Sequence, residues 1–178
     1  MSTLVMVRSR RFTLGGEVGV IEFLVRETSG EVDWKDDREV TPLHAAAIKG
    51  HLPAVNALVS GGADISLRTG KHYFFGYGSR LDDCSALDLA AHGGHMDILK
   101  ALVRHGADVM ACSSGDSLTP LHHATGGKKL DAMRFLLGEG ADANAGIDGW
   151  WKPIHVAVEI ASVEAIQVLA QHDADLSA

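Results

Sequence analysis

The chain is poor in cysteine, in aromatic residues and in positive charge. Cys84 and Cys112 are the only two cysteines among 178 residues. That is too few for the disulfide framework of a small secreted domain, and it fits a reducing compartment. Lysine and arginine number 16 against 23 aspartates and glutamates, a formal charge of −7. Binding along a nucleic acid needs a cationic excess to displace condensed counterions, so the composition argues against that role. No apolar run approaches the ~18 residues that a bilayer-spanning helix needs. The first residues, MSTLVMVRSRRF, hold three arginines and no acid before Glu17. They lack an apolar stretch followed by a small-residue cleavage site, so secretion is not expected and the cytosol or nucleus is the expected location. With 46% apolar residues, what remains is the composition of one folded domain of ordinary size.

Repetition is what the chain has in abundance. TPLHAAA (Thr41–Ala47), SALDLAA (Ser85–Ala91), TPLHHAT (Thr119–Thr125) and KPIHVAV (Lys152–Val158) align directly. Each is followed by a second signal: GGADI, HGADV, EGADA and HDADL. Thr41 to Gly62, Ser85 to Gly106, Thr119 to Gly140 and Lys152 to Asp173 are all separations of 21 residues. The connections measure 23, 13 and 12, so a period of 33 fits, with 11 extra residues in the first connection and one in the second.

Each unit reads as two helices. Thr41 and Thr119 can cap the first through their hydroxyls, and Pro42 and Pro120 suit its first position, where no N–H is needed. Small residues follow (Ala45, Ala46 and Ala47; Ala90 and Ala91), which permits close approach of neighbouring helices. Gly50 or Gly94 ends the helix in a left-handed conformation. The second helix holds Asp97, Asp131 or Glu164 in its first turn, where the helix dipole favours an acid. Its apolar face repeats at i, i+3, i+4: Val55/Leu58/Val59, Leu99/Leu102/Val103, Met133/Leu136/Leu137 and Ile166/Leu169.

A period of 33 with T-P-L-H-x-A nearly intact in two units resembles the ankyrin repeat family, over about Gly16 to the end of the chain. The resemblance implies an all-α fold, a solenoid of stacked antiparallel helix pairs with fingers projecting from one edge. The expected organisation begins with a degenerate or disordered segment over 1–15. A half repeat over 16–34 follows, in which GEVGVIEFLV (Gly16–Val25) reads as a second helix without its first. Full repeats are expected at about 36–68, 80–113, 114–146 and 147–178, with an insertion over 69–83. In the last unit Ile160, Val163 and Ile166 meet no polar capping repeat, so that pair is expected to fray or to self-associate weakly.

Among ten histidines, His44, His122 and His155 hold the fourth signature position, where the resemblance implies a structural hydrogen-bonding role. His92 and His95 are spaced like metal ligands, but no nearby Cys or carboxylate completes a tetrahedral set. GYGS (Gly76–Ser79) lacks a third Gly, a preceding strand and a following helix, and GGKK (Gly126–Lys129) lacks the Ser/Thr of a phosphate loop. The latter occupies the inter-helix turn, with Lys128 and Lys129 in place of the usual Gly-His. EVDWKDDRE (Glu31–Glu39) does not match calcium-loop spacing and reads as a solvated finger. Neither cysteine has a base positioned by local sequence, and no serine sits in a G-x-S-x-G elbow. No catalytic residue, cofactor or metal is expected. The resemblance also makes Asn144 a candidate for asparaginyl hydroxylation, at a position where Asn has a structural role.

Surface remains. Directly before each signature stand Val40, Cys84, Leu118 and Trp151, an apolar line at roughly 10 Å per stacked layer, with Trp150 beside the last. The insertion brings Tyr73, Phe74, Phe75 and Tyr77 within five residues, with Gly76 and Gly78 marking a turn and Arg80, Lys71 and His72 forming a basic rim. Clustered exposed aromatics mark contact surfaces. The expected function is a non-catalytic module that binds another protein through its finger and concave surface and its aromatic insertion, without nucleic acid or membrane. The alternative is a ligand-binding or regulatory part of a larger enzyme whose catalytic region is absent from this chain.

Overall fold

The computed structural model describes residues 32–70, 82–114, 117–146 and 151–175, together with the backbone of 74–75 and 79–80. The expected segment over 1–15 and nearly all of the half repeat over 16–34 lie outside these residues. The chain divides into two compact units, Met1–Ala86 and Leu87–Ala178.

In the first unit, α1 (Pro42–Lys49) packs on α2 (Leu52–Ser60). Thr41 caps α1 from an extended conformation, φ −88° and ψ 165°, and Pro42 opens the helix. Gly50 closes it at φ 77°, a left-handed conformation that costs a non-glycine residue about 1 kcal/mol or more. Leu43, Ala46, Ala47, Val55 and Leu58 are buried together, joined by Val32 and Val40. Burying a leucine side chain contributes ~1.5–3 kcal/mol, which is why so short a helix pair holds.

The insertion leaves this unit from a hydrogen-bonded base. Thr69 N–H donates to the Cys84 carbonyl (2.9 Å), and Cys84 N–H donates to Thr69 Oγ1 (3.0 Å). Arg68 Nε donates to the Asp83 carbonyl at 2.7 Å and lies 3.3 Å from the Asp83 carboxylate. Farther out, β1 (Phe74–Phe75) pairs antiparallel with β2 (Ser79–Arg80), Phe74 opposite Arg80 and Phe75 opposite Ser79. Apart from this ribbon, the regular structure of the described residues is entirely helical.

The second unit holds three helix pairs: α3 (Ala86–Gly93, starting at the unit boundary) with α4 (Met96–Arg104), α5 (Pro120–Gly126) with α6 (Leu130–Gly138), and α7 (Pro153–Glu159) with α8 (Val163–Ala170). First helices contact first helices, α5 on α7, and second helices contact second helices, α4 on α6 and α6 on α8. Asp97, Asp131 and Glu164 occupy first turns as expected. The apolar stripes bury Ile98, Leu99, Leu102, Met133, Leu136, Leu137, Val168 and Leu169. Val103 and Ile166 remain half-buried at the edge of the stripe.

Two inter-helix turns in this unit depart from glycine. Lys128 (φ 56°) and Ala161 (φ 52°) adopt the conformation that Gly94 (φ 75°) adopts in the first pair. Gly127 is required for a different reason: a Cβ there would lie 2.3 Å from the His92 carbonyl oxygen. The end of α3 and the end of α5 meet at that point.

Candidate partner-binding surface

The signature histidines are built into the framework. Thr41 N–H donates to His44 Nδ1 (3.1 Å), and His44 N–H returns a bond to Thr41 Oγ1 (3.4 Å). With Nδ1 accepting, the proton sits on Nε2, which donates to the Leu67 carbonyl at 2.9 Å. The imidazole thus ties the start of α1 to the connection beyond α2. In the second unit Thr119 N–H donates to His122 Nδ1 (3.0 Å), and His122 Nε2 donates to the Trp151 carbonyl (2.9 Å). Lys152 N–H donates to His155 Nδ1 at 2.9 Å. The bonds of His44 and His122 use a neutral imidazole.

Burial pushes the His44 and His122 imidazoles down from 6.5 to about 4; their carbonyl bonds oppose that shift only in part. For His122, neighbouring His123 pushes further down and Asp88 pulls up. Asp88 holds the signature position of histidine in the second full unit and is completely buried, a substitution that sequence reasoning passed over. Alignment alone could have found it, since SALDLAA places Asp where its sisters place His.

The apolar line before the signatures is not a surface stripe. Val40 is 7% exposed and Cys84 0%, so both are interior residues and neither can touch a partner directly. Val40 is tied back to Asp36: its carbonyl accepts from Asp36 N–H (3.1 Å) and its N–H donates to Asp36 Oδ1 (2.9 Å). Cys84 is held further by both of its backbone bonds to Thr69. Leu118 is half-buried; its carbonyl accepts from Ser113 N–H (3.0 Å) and its N–H donates to Ser113 Oγ (3.0 Å). Trp151 alone reaches solvent, at 48% exposure. Its ring stacks on His155 with centroids 6.2 Å apart and planes 11° apart. Its backbone has φ 51°, an unusual conformation for a bulky residue, held by the bond from His122.

Tyr73, Tyr77 and Trp150 lie outside the described residues, and of Phe74, Phe75 and Arg80 the backbone pairing alone is described. Asn144 spends both ends of its amide on structure: Nδ2 donates to the Asp173 carbonyl (3.0 Å), and Oδ1 accepts from Asp175 N–H (2.7 Å). In the last helix pair Val158 and Val163 are each 62% exposed, whereas Ile160 and Ile166 are half-buried. The expected bare edge is therefore carried by Val163 and by Val158, which the sequence argument had not included.

Among the described residues no group of three or more His, Cys, Asp or Glu side chains is placed to hold a metal ion. None of their helices is long and apolar enough to cross a membrane. What the geometry builds is helix pairs joined by connections, two of which are closed by backbone bonds, Thr69 to Cys84 and Ser113 to Leu118. Repeats of this kind contact their neighbours and offer extended surfaces. Family models for ankyrin repeats match the chain: a single repeat over residues 38–70, and a model described as three copies over 70–147 and again over 87–178. The chain belongs to the ankyrin repeat family.

Proposed function

We propose that this chain is a non-catalytic module that binds another protein, and that the insertion over 69–83 supplies the centre of the contact. Ankyrin repeats are protein-interaction modules, a non-catalytic fold. The observation that carries the finer reading is the closed base of the insertion. Thr69, Cys84, Arg68 and Asp83 fix where it leaves the first unit, and all four of its aromatics, Tyr73, Phe74, Phe75 and Tyr77, lie beyond that base. A rigidly rooted finger loses less entropy on binding than a loose one. Arg80, whose backbone pairs with that of Phe74, adds a cation to the composition of the insertion, and aromatics with arginine are the composition of interaction hot spots. In the second unit, Trp151, exposed at a constrained backbone position, is a separate contact residue, with Trp150 next to it in sequence.

The partner is a protein rather than a nucleic acid, in keeping with the net charge of −7. A weak second contact, between copies of this chain, is proposed at Val158 and Val163.

The test is affinity capture with the whole chain and with a Phe74→Ala/Phe75→Ala variant. A binding finger loses about 2 kcal/mol or more of affinity, with the melting temperature unchanged. Unaltered capture together with a fall of several degrees in melting temperature would make the insertion a cover for the domain's own surface instead.

A further inference from the structure

We infer a second binding surface, on the second helices of the second unit: the cleft between α4 and α6 takes an acidic segment of a protein partner that carries one apolar anchor residue. The cleft has a volume of about 450 Å³ and is lined by Lys100, Val103, Arg104, Phe135 and Glu139. None of the five is buried, Val103 and Phe135 being half-buried and the other three exposed. A site this open cannot enclose a small molecule, which needs most of its surface covered, but it can seat one side chain of a docked chain.

Its chemistry is asymmetric. Lys100 and Arg104 stand four residues apart on α4, hence on one face of that helix. Neither forms an ion pair with another described residue, although the chain as a whole is acidic. Two exposed cations beside an aromatic ring call for carboxylates flanking an apolar group. Glu139, at the far end of α6, repels an anion there and so sets the direction: acids over α4, the anchor on Phe135, a donor towards Glu139.

A departure from the repeat marks the same place. Phe135, which lines the cleft, occupies the position that Ala57 and Ala101 hold in the two preceding units. A half-buried phenylalanine where the sister units carry alanine leaves part of an aromatic ring for a partner to cover.

The experiment is selection of a random-peptide display library on the purified full chain, with counter-selection on Lys100→Glu/Arg104→Glu. Both side chains are exposed, so this variant keeps its melting temperature within a few degrees while reversing the charge of the α4 wall. The peptides that discriminate should carry two or more acids around one aromatic or long aliphatic residue. Their affinity should fall about tenfold or more with Phe135→Ala, and should weaken as salt is raised. If no peptide separates the full chain from Lys100→Glu/Arg104→Glu, or those that do carry no apolar anchor and ignore Phe135→Ala, the inference fails. It fails equally if a single-stranded oligonucleotide competes as well as the peptides. Self-association of the full chain that Phe135→Ala abolishes would assign the cleft to a second copy, and that too overturns it.

Discussion

Mild acid should unfold this protein through its signature histidines, well above the range in which most carboxylates titrate. His44 and His122 are held neutral in the fold, at about 4 against the ordinary 6.5. A base whose folded pKa is depressed binds fewer protons folded than unfolded, so stability is full above pH ~6.5 and drains away as pH falls towards ~4. At about pH 5 the unfolded imidazole is almost wholly protonated and the folded one is not, which costs roughly 2 kcal/mol per histidine and roughly 4 kcal/mol for the pair. That is a large share of the ~5–15 kcal/mol that ordinarily holds a domain together. His92, whose imidazole burial also pushes down, adds in the same direction. Urea unfolding followed by far-ultraviolet circular dichroism, at steps between about pH 7.5 and about pH 5, measures the loss directly. The midpoint should fall with an unchanged m-value, and the slope should correspond to uptake of nearly two protons on unfolding. His122→Gln should lower stability at every pH and remove about half of that slope. A stability that varies by less than ~1 kcal/mol over this range, or a slope unaffected by the substitution, would refute the assignment of the two buried neutral imidazoles.

Gly127→Ala should destabilise by ~2 kcal/mol or more, because its Cβ would fall 2.3 Å from a carbonyl oxygen that cannot move without disturbing the end of α3; chemical denaturation reads the loss. Ala161→Gly and Lys128→Gly should each raise stability by ~0.5–1 kcal/mol, since both residues now hold left-handed backbone at φ 52° and 56°. A drop in midpoint for either would show that the strain is compensated elsewhere. Replacing Val158 and Val163, each 62% exposed, with lysine should abolish concentration-dependent association in sedimentation velocity while changing stability by less than ~0.5 kcal/mol per site.

The repeat was legible because its determinants are local. Thr41, Pro42 and His44 lie within four residues of one another, so the cap, the helix start and the imidazole that locks them are written consecutively. The acids at Asp97, Asp131 and Glu164 and the stripes behind them follow from helix geometry alone. The candidate site was legible only as an address. That the insertion falls in a finger follows from the constant 21-residue separation. Which neighbouring residues face outward does not, because that depends on the chain that covers them. Val40 and Trp151 illustrate this: both are large, apolar and next to a signature, yet one is 7% exposed and the other 48%.

Spacing and composition thus settled by themselves the helix pairs and the family, since each rests on contacts among residues a few positions apart. Tertiary structure alone decided which apolar residues are core and which are surface. It also placed a glycine against a carbonyl 35 residues away at His92 and left another, Gly138, facing open space. The cleft between α4 and α6 belongs to the same class of fact: its cations and its aromatic come from different repeats, and only packing brings them together.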